Sequence, residues 1–167
     1  MVADELRRLD DLPQGHTGDD SPDARGRYAV APALEGLVML RRSAGLDVRA
    51  DVEPDLHAVG SPRTLAQVVT NLLSNAARHA PGSPVRITAV TRDGSAEIRV
   101  RDFGPGIPPG QERAVLERGV HDASAGGLGL GLHLCQTLLA AEDAAIEVSA
   151  TRHQVPGCEV RLVLPAS

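Results

Sequence analysis

The sequence predicts an α+β sandwich, a two-layer arrangement with helices packed on one face of a mainly antiparallel sheet. Three observations carry that prediction. Leu65, Val68, Val69, Leu72, Leu73 and Ala76 stand at offsets 0, 3, 4, 7, 8 and 11, which is a broad apolar stripe along one helix. Two alternating runs, Val85 to Thr91 and Ala96 to Arg101, flank Asp93-Gly94, a dipeptide suited to a tight hairpin. Near the C-terminus Val160, Leu162 and Leu164 alternate with Glu159 and Arg161, the mark of a strand with one buried face.

The remaining elements follow in order. Residues 1–25 differ from the rest: Val2, Leu6, Leu9 and Leu12 form a thin apolar stripe at helical spacing, and a stretch rich in Gly, Asp, Ser and Pro follows Pro13. They read as a short amphipathic stub and linker before a body at 26–167. Pro32 to Ser43 reads as a helix with Leu34, Leu37, Val38 and Leu40 inward, and Leu46 to Val52 as a strand. Ser61-Pro62 is a helix start, with Ser as the cap and Pro in the first turn. That helix carries the broad stripe and ends before Pro81-Gly82. Gly127 to Ala141 is expected to be helical, with Leu128, Leu132, Cys135 and Leu139 on one face; Ile146 to Ala150 is a further strand.

Composition closes several functional classes. The chain has 17 cations, all Arg, against 22 Asp and Glu, a formal charge of -5. Nucleic-acid binding favours a basic excess and base-stacking aromatics, and here Tyr28 and Phe103 are the only aromatics. Two cysteines, Cys135 and Cys158, make no disulfide framework, and no Cys/His cluster has zinc spacing. The charged start lacks signal-peptide order, and no apolar run approaches the ~20 residues of a membrane span. A cytoplasmic setting is expected.

Three motifs carry chemistry. In N-L-L-S-N-A-A-R-H-A, residues 71–80, Asn71, Asn75 and Arg78 fall at 0, +4 and +7 and form one row beside the apolar stripe. An amide oxygen is a hard ligand for Mg²⁺, and a guanidinium forks onto phosphate oxygens. In R-D-F-G-P-G-I-P, residues 101–108, Asp102 ends a strand and Gly104 and Gly106 follow. A carboxylate there can accept a hydrogen bond from an exocyclic amine, while glycines let backbone approach a flat base. In G-G-L-G-L-G-L, residues 126–132, Gly127, Gly129 and Gly131 stand at the mouth of a helix, whose free N–H groups attract phosphate. Taken singly, each motif also fits a structural role: a polar helix face, a turn after a strand, close packing.

The order and spacing of the three together resemble the ATP-binding catalytic domain of sensor histidine kinases. That group shares a superfamily with gyrase, the ninety-kilodalton heat-shock chaperone and mismatch-repair ATPases, and the resemblance spans about residues 26–165. It implies the Bergerat-type sandwich, with ATP between helices and sheet and a lid at 107–126. It further implies Asn75 as the Mg²⁺ ligand, with Asn71 nearby and Arg78 and His79 near the phosphates. Asp102 becomes the adenine reader, supported by Gly104 and Gly106. Gly127, Leu128, Gly129, Gly131 and Leu132 become the hinge and phosphate loop.

One position separates the subfamilies. ATP-hydrolysing relatives and anti-sigma serine kinases usually carry a Glu four residues before the Mg²⁺ asparagine; here Asn71 stands there and takes no proton at neutral pH. A neutral imidazole is already nucleophilic, so Asn71 favours phosphorylation of histidine. Ordinary histidine kinases carry a dimerisation hairpin with the acceptor His before this domain. The 25 residues present are too few for one, and His16, between glycines, does not suit a helix. The expectation is a stand-alone half-kinase acting in trans on a separate protein that bears the acceptor His and the dimerisation helices, with a response regulator downstream. The rivals are an anti-sigma-type serine/threonine kinase, matched by a stand-alone domain, and a non-catalytic nucleotide-binding module, suggested by a lid without Phe.

Overall fold

The computed structural model describes residues 25–105, 130–151 and 156–166. In chain order the elements are β1 (Gly26–Ala29), α1 (Val30–Ser43), β2 (Val48–Val52), β3 (His57–Gly60), α2 (Pro62–His79), β4 (Val85–Arg92), β5 (Ser95–Asp102), α3 (Leu130–Ala140), β6 (Ala145–Thr151) and β7 (Gly157–Pro165). The main sheet has the order β2-β4-β5-β7-β6, and β1 and β3 form a separate antiparallel pair. Among the described residues, only β2 runs parallel to its neighbour in this sheet, β4; the other three pairings there are antiparallel.

Periodicity builds the layers. All six stripe residues of α2 are buried, as are Leu34 and Val38 of α1 and Cys135 and Leu139 of α3. They meet the alternate residues of the strands, Ile87, Ile98 and Leu162 among them, each at 0% exposure. Each such side chain removed from water contributes about 1.5–3 kcal/mol. Asp93 and Gly94 both adopt positive φ, 50° and 78°, which is what the two-residue hairpin between β4 and β5 requires. Registry then puts Arg92, Glu97, Arg99 and Arg161 on the face opposite the helices. There Glu97 lies only 4% exposed beneath the guanidinium groups of Arg99, Arg161 and Arg92, at 2.6, 3.0 and 3.6 Å.

Two expectations need correction. Leu40 is 66% exposed, because the inward stripe of α1 runs through Val30, Leu34 and Val38. Ser61 occupies the cap position of α2, but its side chain makes no capping hydrogen bond; its backbone N–H donates to Glu142 Oε2 at 3.3 Å. The stub and linker, apart from Arg25, and the lid at 107–126 lie outside the described residues.

Candidate functional site

The site is assembled around the C-terminal half of α2. Its polar row stands where the sequence placed it: Asn71 and Asn75 are half-buried beside the apolar stripe, and Arg78 and His79 are exposed at the helix end. The Arg78 guanidinium donates to Asn75 Oδ1 within the row. The Asn71 amino group donates to Sγ of Cys135 on α3 at 3.7 Å. Asn75 faces the first turn of α3, since a Cβ added at Gly131 would sit 3.9 Å from both of its amide atoms. Leu132, one residue on, packs against the core.

The second motif closes on the same helix end. Asp102 is the last residue of β5 and lies opposite Val85, so it shares the helix-facing side of the sheet. Its Oδ1 accepts two backbone hydrogen bonds, from Gly104 and Cys158, each 3.1 Å. Its other oxygen has no hydrogen-bond partner among the described residues. Phe103 N–H donates to Ser83 Oγ at 3.2 Å, and the Arg101 guanidinium lies 4.7 Å from the centre of the Phe103 ring. Gly104 must be glycine for a steric reason: a Cβ there would lie 2.5 Å from Ala80 Cβ and 3.3 Å from the His79 carbonyl oxygen. Gly157 is equally constrained, with Asp102 O 2.2 Å from the place of its Cβ. Burial, then the negative charges of Asp102 and Glu159, push the Cys158 thiol up to about 12, so it stays protonated at neutral pH.

Three separate stretches of the chain are thus gathered on α2: Gly104 against Ala80, Gly131 beside Asn75, and Cys135, 64 residues away, against Asn71. Gly106, Gly127, Leu128 and Gly129 lie outside the described residues. What the sequence did not reveal is the support around the row. Cys135, Gly157 and the Cys158 N–H act across folds of the chain that carry no local signal.

A sequence profile of the histidine kinase-, DNA gyrase B- and HSP90-like ATPases matches residues 60–167. The chain belongs to this family. Its relatives are sensor histidine kinases. "Sensor histidine kinase component HK1" of Mycobacterium tuberculosis (strain H37Rv) is 33% identical, over 81% of this chain and 81% of its own length. "Probable sensor histidine kinase HK" of M. tuberculosis (strain CDC 1551) is 32% identical over 98% of this chain, which spans 42% of that protein. Among solved structures, the mycobacterial sensor histidine kinase MprB superposes with a TM-score of 0.73 at 30% identity, covering 85% of this chain and 97% of that one. The ATP-binding domain of PrrB from M. tuberculosis gives 0.71 at 25% identity, covering 87% and 99%. The two-layer sandwich described above is the fold of these histidine kinase ATP-binding domains. Among the described residues no helix is long and apolar enough to cross a membrane.

Proposed function

We propose that this chain is the ATP-binding catalytic part of a two-component histidine kinase and transfers the γ-phosphoryl group in trans to a histidine on a separate protein. The observation that carries the reading is the convergence of the carboxamide row, Asp102 and the start of α3 on one helix end. The partner would bear the acceptor His and the dimerisation helices and pass the phosphoryl group to a response-regulator Asp. The match to HK1, named as a kinase component and covered over 81% of its length, favours action in trans. A cytoplasmic setting suits that chemistry.

The residues divide the work. With Oδ1 of Asp102 held by two N–H groups, the free oxygen is left to accept from the exocyclic amine of adenine. The residues fit Mg²⁺. No cluster of three or more His, Cys, Asp or Glu suited to a metal occurs among the described residues, and Mg²⁺ needs none, because it keeps several waters and binds phosphate oxygens. Asn75 Oδ1 is the hard oxygen the row offers, and when bound the ion would neutralise charge on the phosphates. That oxygen accepts from Arg78; Asn75 would hold the ion through it, and the exposed Arg78 guanidinium beside it would pair with phosphate oxygens. His79 and the stretch Gly127, Leu128, Gly129 and Gly131 would line the phosphates, with Leu132 packed against the core behind them. The unprotonated imidazole nitrogen attacks phosphorus, a P–N bond forms, the P–O bond to the β-phosphate breaks, and ADP leaves. Asn71 takes no proton in this step, and none is required of it.

The test uses γ-labelled ATP, Mg²⁺, the purified protein and, as acceptor, whichever protein of the same cell carries a dimerisation hairpin with an acceptor His but no ATP-binding domain of its own. Acid-labile label on the hairpin is expected, and Asn75→Ala should abolish it. Acid-stable label would indicate a serine/threonine kinase, and tight ATP binding with no transfer a binding module; either overturns the proposal.

A further inference from the structure

The Asn71 carboxamide has a direction. Its Nδ2 donates to Cys135 Sγ at 3.7 Å, while its Oδ1 has no hydrogen-bond partner among the described residues. The sulfur is itself fixed. Cys135 is fully buried, and its S–H donates to the Val68 carbonyl oxygen at 3.8 Å. Burial pushes the thiol up, outweighing the hydrogen bond from Asn71, so the group is a protonated thiol with a lone pair turned to the amide.

Resting on the ATP and Mg²⁺ reading above, we propose that Cys135 is a positioning residue that turns the Asn71 carboxamide so that its carbonyl oxygen, not its amino group, is offered to the nucleotide. The distinction is chemical. An amino group donates to phosphate oxygens, whereas a carbonyl oxygen accepts from waters held by a divalent cation. Mg²⁺ retains such waters. Asn71 and Asn75 then present two oxygens in one row, and the buried sulfur on α3 sets the polarity of the first.

Two substitutions separate orientation from packing. Cys135→Val keeps the volume and the apolar surroundings but removes the acceptor; Cys135→Ser restores one. In the nucleotide-free protein, the Asn71 side-chain amide resonances, assigned by their loss in Asn71→Ala, should move and exchange faster with solvent in Cys135→Val and return in Cys135→Ser. In a Mg²⁺ titration of ATP binding, the half-saturating Mg²⁺ concentration should rise about fivefold in the Val variant and stay within about twofold in the Ser variant. In an Asn71→Ala background, Cys135→Val should add nothing. Unchanged amide signals with an unchanged Mg²⁺ midpoint in Cys135→Val, or the same rise without Asn71, would overturn the assignment. Wild-type protein that takes up no ATP would instead sink the nucleotide reading, while the amide spectra would still decide the orientation.

Discussion

Replacing Gly104 by Ala tests whether the Asp102 loop owes its place to the end of α2. The added methyl would sit 2.5 Å from Ala80 Cβ and 3.2 Å from its Cα. Carbon atoms rest at about 3.5–4.0 Å, so the loop must separate from the helix by more than 1 Å or so. Ala80 has little freedom to yield: it is 5% exposed and its N–H bonds to Ala76 O at 2.8 Å. The loop therefore moves, and the Gly104 N–H leaves Asp102 Oδ1. Overpacking of this kind costs about 1–3 kcal/mol, and a hydrogen bond to a carboxylate is worth about 1.5–3. The two overlap, so a loss of about 2–3 kcal/mol is expected, equivalent to a fall of roughly 4–12 °C in Tm for a chain of this size. Nucleotide affinity should fall about 10- to 100-fold as the carboxylate loses its aim. Circular-dichroism melting and calorimetric titration with ATP read the two effects. A Gly104→Ala protein that melts and binds like the wild type would refute the steric reasoning.

Gly36 is the matching control, since a Cβ there meets nothing within 4 Å and the residue lies within α1. Gly36→Ala should raise stability by about 0.5–1 kcal/mol in a urea melt. Glu97→Gln removes the carboxylate shared by Arg99, Arg161 and Arg92 and should cost about 1–3 kcal/mol at pH 7. Burial opposes ionisation of Glu97, but the hydrogen bond from Arg99 and the charges of Arg99, Arg161 and Arg92 win and hold its carboxyl below the usual value. Its stabilisation is thus complete above the unfolded-state value of about 4.3 and is lost as pH falls through the lower folded one, so the gap between wild type and variant should close in acid melts. The apolar stripe Val2, Leu6, Leu9 and Leu12 is expected to dock the partner that bears the acceptor His, so deleting residues 2–12 should leave ATP binding intact while phosphotransfer falls; equal transfer rates would remove the stub from that role.

Much of this architecture was legible because two periods, 3.6 and 2, decide which residues meet the core. The six-residue stripe of α2 and the alternation in β5 and β7 each carry enough apolar area to fix an element. The same logic failed at Leu40, where a four-residue shift along α1 leads through Val38 and leaves Leu40 in water. Strands β1 and β3 escaped notice. Each has four residues and, among the described residues, pairs only with the other; four residues are too few for a period to stand out, as in G-R-Y-A. At the site, the carboxamide row is a spacing within one helix and could be read directly. The double hold on Asp102 could not, because Cys158 lies 56 residues away and its contact is made by backbone. The sulfur behind Asn71, at a separation of 64 residues, looked like an ordinary apolar position on α3.

The nucleotide reading stands or falls on calorimetric titration of the purified chain with ATP, with and without Mg²⁺. Saturable uptake of one nucleotide per chain, tightened by the ion and lost in Asp102→Ala, is the expected result. A chain that stays folded in the same buffer and takes up neither ATP nor ADP would contradict it.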